Sequence, residues 1–147
     1  MRAVVTRVRS ASVTIDGQIA GQIGKGYLVL LGISVSDTPA QAEKLANKVC
    51  NLRVFEDDSG KMNRDLAAVG GSILVVSQFT LYADCKSRRP GFTGAARPET
   101  AIPLYEQFIG LCRDRGFPVE TGRFGADMLV RSENDGTVTI LMDTDAL

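Results

Sequence analysis

The polar residues Ser77, Gln78 and Thr80 directly follow Ser72–Val76, an apolar run typical of a buried strand. A hydroxyl at the end of such a strand can act as a nucleophile when a base activates it. The sequence contains no histidine, so it can form neither a Ser-His-Asp triad nor a Cys-His pair. Ser77 also lacks the GxSxG motif of a nucleophile elbow. Thr80 is a possible nucleophile by residue type, but no residue nearby in sequence is an evident base.

A second candidate for chemistry is Cys85, which lies beside Lys86, Arg88 and Arg89. Basic neighbours of this kind can activate a thiol, so a thiol hydrolase built on Cys85 is one interpretation. The other interpretation is an unreactive cysteine in a surface loop. The two remain alternatives on the sequence alone.

Cys50 and Cys112 fall within helical patterns and are predicted to be buried structural thiols. The three cysteines form no CxxC pair and have no histidine beside them, which argues against a zinc site. Their odd number argues against a disulfide framework and fits a reducing compartment.

The segment from Asp84 to Arg97 is the most distinctive patch of the chain. It contains four basic residues, one acidic residue, two glycines and Phe92. Fixed positive charge, a mobile backbone and an aromatic face suit a loop that holds a phosphate and stacks a base. A solvated loop with ordinary surface charge explains the same composition equally well.

Length and charge narrow the class of protein. The 147 residues predict one domain spanning 1–147, and the 17 basic residues balance the 17 acidic ones. A protein that coats nucleic acid would be strongly basic, so any contact with nucleic acid must be local. No apolar run is long enough to cross a bilayer and no signal segment is evident, so we expect a cytoplasmic protein with no membrane partner.

Motifs for bound cofactors do not occur. The sequence has no P-loop, no GxGxxG after a strand and no acidic cluster at EF-hand spacing. We therefore predict no nucleotide cofactor and no metal site.

The pattern of apolar residues predicts a mixed α/β protein with largely antiparallel sheets and outer helices. Asp16-Gly17 indicates a hairpin within an initial β-meander, and Asp135-Gly136 indicates a turn between the last two strands. Thr38-Pro39 and Pro98 mark the beginnings of two amphipathic helices, and Gly116 is placed to end the second. The predicted strands are 2–9, 11–15, 18–23, 26–33, 53–55, 72–83, 119–124, 128–132 and 138–142.

Several longer motifs carry a resemblance to a known family. These are SQFTLYA (77–83), RPGF (89–92), TGRFGADM (121–128) and NDGTVT (134–139), together with MRAVVTRVRSASVTIDG, GYLVLLGIS and DSGKMN. In this order they resemble the D-aminoacyl-tRNA deacylase, or D-tyrosyl-tRNA deacylase, family over essentially the whole chain. The resemblance implies a three-layer α/β/β fold and a cytosolic homodimer with its active sites at the interface. It also implies hydrolysis of the ester that joins a D-amino acid, or glycine, to the 3′ end of tRNA.

The resemblance assigns the pocket for the aminoacyl end to Ser77, Gln78, Phe79 and Thr80. The amide of Phe79 would form an oxyanion hole, because a fixed donor stabilises charge that develops on the ester carbonyl. The main chemical role would belong to the 2′-hydroxyl of the terminal ribose of the tRNA. Thr80 as the nucleophile is the competing mechanism. The absence of histidine favours the first, because positioning and electrostatics need no side-chain base.

Other positions match the family's binding residues. Arg7 would hold an inserted loop and Met128 would lie near the substrate amino group. The alternative for Arg7 is a solvated charge on a strand, and the alternative for Met128 is a side chain that fills the core. We expect Lys86, Arg88, Arg89 and Phe92 to contact tRNA.

The last motif of the family is Gly-Pro-Val-Thr. At these positions the sequence has Gly136, Thr137, Val138 and Thr139, so Thr137 stands where the family has proline. In the family the carbonyls of a cis Gly-Pro peptide reject L-amino acids. A cis bond costs roughly 2.5–4 kcal/mol when no proline follows, against about 0.5–1 kcal/mol before proline. We therefore expect a trans Gly136-Thr137 bond and relaxed rejection of L-aminoacyl-tRNA. A protein that binds the aminoacyl end of tRNA without hydrolysing it is the alternative function.

Overall fold

The computed structural model describes all 147 residues. Its main sheet has six strands, a two-stranded hairpin lies beside it, and two α-helices pack on it, so the predicted mixed α/β class is confirmed. The strands are β1 (Arg2–Ile15), β2 (Gln18–Ile23), β3 (Gly26–Gly32), β4 (Phe55–Glu56), β5 (Met62–Arg64), β6 (Ser72–Ser77), β7 (Val119–Thr121) and β8 (Leu129–Asp143). The helices are α1 (Pro39–Cys50) and α2 (Pro98–Asp114), with 3-10 helices at Phe79–Tyr82 and Thr144–Ala146. None of the helices has the length and apolarity that crossing a membrane requires.

The main sheet separates two apolar cores. Side chains of a strand alternate between its faces, so neighbours on β3 and β6 enter different cores. Tyr27 and Ile73 join a core of 26 buried residues beneath α1 and α2. Leu28 and Leu74 join a core of 7 buried residues on the opposite face.

Both helices begin where their sequence signals predicted. The amide of Thr38 donates to Oε1 of Gln41 over 2.7 Å, which closes the first turn of α1 ahead of Pro39. The helix α2 begins at Pro98, and Gly116 follows its end with a φ of 90°. That positive φ is a conformation that glycine adopts without steric cost, so it suits the end of a helix.

The first three strands form one long hairpin and not the predicted meander. The turn lies at Asp16-Gly17, whose φ angles of 50° and 78° fit the expected type of tight turn. Both β2 and β3 then pair with β1 in one continuing register, with Ala11 opposite Ile23 and Val8 opposite Gly26. The meander prediction is wrong because β1 is long enough to pair with both returning segments end to end.

The strand predicted over 72–83 ends at Ser77 instead. Ser77 is opposite Leu31 in the parallel β3–β6 pair, and β3 itself ends at Gly32. With no further partner, the chain turns into the 3-10 helix Phe79–Tyr82, in which the amide of Leu81 donates to the carbonyl of Gln78. The predicted strand was too long because its end depends on the length of β3.

The predicted turn at Asp135-Gly136 is also wrong, because 129–143 is one strand that pairs along β1. Thr139 is opposite Thr6 and Asn134 is opposite Val8, so residues 135–138 bulge out beside Arg7 alone. Within the bulge, four residues of β8 lie beside one residue of β1. The local turn signal Asp-Gly is the same for such a bulge and for a hairpin, so it does not tell the two apart.

The Gly136-Thr137 peptide bond is cis, so the expectation of a trans bond is wrong. That expectation was based on local cost, whereas the bulge has long-range contacts that the local sequence does not show. Arg7 donates to the carbonyl of Asp135 over 3.1 Å, and Gly136 adopts a φ of 142° that is rare for other residues. The expectation of relaxed rejection, which depended on a trans bond, loses its basis.

Candidate active site

A cleft of about 330 Å³ opens at the carboxyl ends of β3 and β6. Its walls are mainly apolar, with a few polar groups, as is usual for small-molecule pockets. It brings together three of the predicted catalytic residues and Met128. The lining residues are Leu31, Ile33, Val76, Ser77, Gln78, Phe79, Ala96, Ala101, Phe124, Gly125, Ala126, Asp127, Met128 and Val130.

Backbone hydrogen bonds fix both the Gln78-Phe79 peptide and the peptide before it. The amide of Gln78 donates to the carbonyl of Leu31 over 2.8 Å, and its carbonyl accepts from Leu81 over 3.2 Å. The same carbonyl faces Gly32, where an added Cβ would lie 3.0 Å from it. The C=O and N–H of a trans peptide point in opposite directions. The amide of Phe79 therefore points away from β3, at the first residue of the 3-10 helix, where a helical N–H has no intrahelical partner.

Thr80 does not line the cleft and its side chain is exposed. Its hydroxyl receives a hydrogen bond from the side-chain amide of Gln78. No carboxylate or amine is hydrogen-bonded to this hydroxyl, so it has no base to activate it.

Residues 124–128, within the TGRFGADM motif, also line the cleft. Met128 lies here, and its proximity to the substrate amino group stays a prediction. Asp127 supplies the only carboxylate of the cleft, and sequence reasoning assigned it no role although the motif itself had been recognised. Ala96 and Ala101 were also missed, because small apolar residues carry no chemical signal.

Arg7, the bulge at 135–138 and the following Thr139 lie outside this cleft. Arg7 is only 6% exposed and donates to the carbonyl of Val54 over 2.6 Å as well as to Asp135. It is therefore not a solvated surface charge, which was the alternative interpretation. Within the bulge, Val138 is buried in the larger core, whereas Gly136 and Thr137 are exposed.

The basic segment folds into a closed loop beside the cleft. Asp84 and Gly91 exchange two backbone hydrogen bonds of 2.7 and 2.9 Å, so Lys86, Arg88 and Arg89 protrude between them. All three side chains are exposed, and none forms an intramolecular ion pair. Phe92 packs edge-on against Phe79, with ring centroids 5.1 Å apart. This contact connects the loop to the mouth of the cleft.

The thiols occupy two different environments. Cys50 and Cys112 are buried with their sulfur atoms 3.7 Å apart, which confirms the prediction of buried thiols. The hydrogen bond with Cys50, together with burial, raises the pKa of the Cys112 thiol above its usual value. Cys85 is exposed in the basic loop. No group of three or more His, Cys, Asp or Glu side chains is placed to hold a metal ion.

The fold and the cleft define a mixed α/β protein with a pocket at the end of a parallel strand pair and a basic loop beside it. Comparisons identify the family. The family model for D-Tyr-tRNA(Tyr) deacylase matches residues 4–143. A D-aminoacyl-tRNA deacylase of Symbiobacterium thermophilum is 57% identical over 146 residues, covering 99% of this chain and 97% of the relative. The chain therefore belongs to the D-Tyr-tRNA(Tyr) deacylase family.

Solved structures agree on the fold. A structure of the c-Myc DNA unwinding element binding protein is 43% identical, with a TM-score of 0.91, and the match covers 97% of this chain and 98% of that one. A "probable eukaryotic D-amino acid tRNA deacylase" is 17% identical, with a TM-score of 0.82 over 96% of this chain and 97% of that one. The second shows that the fold persists when most of the sequence has changed.

Proposed function

We propose that this protein hydrolyses the ester of D-aminoacyl-tRNA, and of glycyl-tRNA, to free tRNA and amino acid in the cytoplasm. Membership of the deacylase family supports this, as does the name shared by relatives more than half identical to it. Removing D-amino acids from tRNA before they reach the ribosome is a form of proofreading.

The single observation that carries this function is the placement of the Gln78-Phe79 peptide at the cleft. Hydrolysis of an ester places negative charge on the carbonyl oxygen as water adds to the carbon. The amide of Phe79, held by the contacts of Gln78 with Leu31 and Leu81, is a fixed donor for that oxygen. Ser77, Gln78 and Met128 line the same cleft. The amino group of the substrate would lie near Met128.

The proton transfer falls to the substrate and not to a side chain. The hydroxyl of Thr80 has no base, and the sequence has no histidine. The 2′-hydroxyl of the terminal adenosine lies next to the scissile ester in every aminoacyl-tRNA, so binding alone positions it. The protein would orient the ester against Phe79 and let this hydroxyl assist the attack of water.

The active form would be a homodimer. The strand β8 pairs only with β1 and leaves its other edge unpaired, with Leu129 53% and Leu141 69% exposed. A long exposed edge with apolar side chains is a template for association. The residues Gly136–Thr139 follow Asp135, which Arg7 holds, and lie outside the cleft of their own chain. In the homodimer they would complete the cleft of the partner.

The substrate test compares D-tyrosyl-, L-tyrosyl- and glycyl-tRNA as substrates of the purified protein. We expect rapid loss of ester from the D-tyrosyl and glycyl forms, with the L-tyrosyl form left intact.

A second candidate function is binding of a nucleic-acid end without turnover, and the name of the DNA-binding relative is the observation that favours it. Binding without loss of ester from any of the three would establish that second function and refute hydrolysis.

Removing the charges of the basic loop is expected to change the salt dependence of tRNA binding. We expect replacement of Lys86, Arg88 and Arg89 by alanine to raise KM for tRNA and leave kcat nearly unchanged. Each lost phosphate contact should flatten the slope of log affinity against log salt by about 0.7–0.9. Titration of binding from low to high salt measures the slope. Lys48→Gln on α1 removes an exposed charge elsewhere and serves as the control; equal slopes in both proteins would exclude the loop as the tRNA contact.

Cys85→Ala separates the deacylase from a thiol hydrolase. Cys85 is exposed in the loop and does not line the cleft, so we expect kcat to stay within about twofold of wild type, since surface changes have small effects. Rates with D-tyrosyl-tRNA check this, and complete loss of activity would assign the chemistry to the thiol.

A further inference from the structure

Arg2 makes three contacts around the 3-10 helix that follows β6. Its Nε donates to the Asp143 carboxylate over 2.8 Å, and its Nη1 donates to the carbonyl of Leu81 over 2.9 Å. Its guanidinium also lies 4.4 Å from the centre of the Tyr82 ring, within the range of a cation–π contact. None of these groups lines the cleft, and none has a role in the chemistry proposed above.

The sheet places Arg2 where it can reach this helix. In the pairing of β1, Arg2 is opposite Asp143 on one side and Gly32 on the other. Gly32 is the residue against which the carbonyl of Gln78 packs. Arg2 and Gly32 therefore both contact the same turn. Arg2 contacts it at Leu81, and Gly32 contacts it at Gln78.

Asp143 keeps the guanidinium oriented. Burial alone would raise the pKa of Asp143, but hydrogen bonds from Arg2 and from the amide of Asp145 hold that pKa below its usual value. The carboxylate is therefore ionised at neutral pH and accepts from Nε, which leaves Nη1 directed at Leu81. The planar, multi-donor guanidinium can make both contacts at once, whereas a lysine ammonium is a single point charge.

We infer that Arg2 is a positioning residue that holds the amide of Phe79 in its catalytic orientation through Leu81. The connection has two hydrogen bonds: Arg2 binds the carbonyl of Leu81, and the amide of Leu81 binds the carbonyl of Gln78. That carbonyl belongs to the same rigid peptide unit as the N–H of Phe79. A shift of Leu81 therefore rotates the oxyanion donor.

This inference rests on the proposed role of Phe79. The variants are chosen so that failure of the inference and failure of the proposed function give different results. We expect Arg2→Gln to lower kcat for D-tyrosyl-tRNA about tenfold with KM unchanged, since small displacements of a catalytic group are costly. Arg2→Lys keeps the charge beside Asp143 but carries all its donors on one nitrogen and lacks the planar fork of the guanidinium, so we expect a similar loss. Lys48→Gln is the control for removal of one positive charge.

A double variant distinguishes loss of positioning from a mere loss of stability. Each protein is assayed at a temperature well below its unfolding midpoint. Because Arg2 and Gly32 act on one peptide, Arg2→Gln combined with Gly32→Ala should lose little more than the more severe single variant. Losses that multiply would mean independent effects and would overturn the inference, as would wild-type kcat in Arg2→Gln. Absence of hydrolysis by the wild-type protein would instead refute the proposed function.

Discussion

Phe79→Pro is expected to lower kcat for D-aminoacyl-tRNA about 10²–10³-fold relative to Phe79→Ala. Loss of one oxyanion donor costs this much in enzymes that stabilise a charged carbonyl oxygen. Proline removes the N–H of residue 79, whereas alanine removes the ring and keeps the N–H. The comparison between the two variants therefore isolates the backbone donor from the side chain.

The position accommodates proline. Phe79 is the first residue of the 3-10 helix, where proline is tolerated. Gln78 has φ of −144° and ψ of 80°, outside the α region that proline disfavours in the residue before it. Single-turnover rates under saturating protein measure the chemical step. Equal rates for the proline and alanine variants would show that the amide of Phe79 makes no contribution.

The second large effect is expected for Gly32→Ala. The added Cβ would lie 2.9 Å from Cβ of Leu81 and 3.0 Å from the carbonyl oxygen of Gln78. Neither atom is the flexible end of a side chain, so the turn itself must move. A displacement near 1 Å can cost about 10²-fold in rate, and we expect a loss of kcat of that order.

Gly24→Ala is the matched control for this variant. Gly24 lies between β2 and β3 with nothing within 4 Å of an added Cβ, and it has no positive φ. We expect its kcat and unfolding midpoint to match wild type. Wild-type kcat in Gly32→Ala would mean that the turn over Gly32 does not position the chemistry.

Elements defined by local signals could be predicted from the sequence. The beginnings of α1 and α2 depend on Thr38-Pro39 and Pro98, and the first hairpin depends on Asp16-Gly17. These signals act through the conformation of one or two residues. They need no knowledge of the rest of the chain.

Features set by distant partners could not be predicted in this way. The end of β6 depends on where β3 ends at Gly32, and the bulge in β8 depends on Arg7 of β1. The same limit applies to the candidate site. Polar residues of the SQFTLYA motif were recognised, whereas Leu31 and Ala96 line the cleft only because the sheet brings distant segments together.

The measurement that tests the mechanism most directly compares two forms of D-tyrosyl-tRNA, one ending in adenosine and one in 2′-deoxyadenosine. If the 2′-hydroxyl of the substrate assists the attack while the amide of Phe79 holds the oxyanion, the deoxy form should lose its ester at least about 10²-fold more slowly, the scale of general acid–base assistance. Binding of the two forms should be similar. Equal rates of ester loss would contradict this mechanism and would return the chemistry to a group of the protein, with Thr80 as the first candidate.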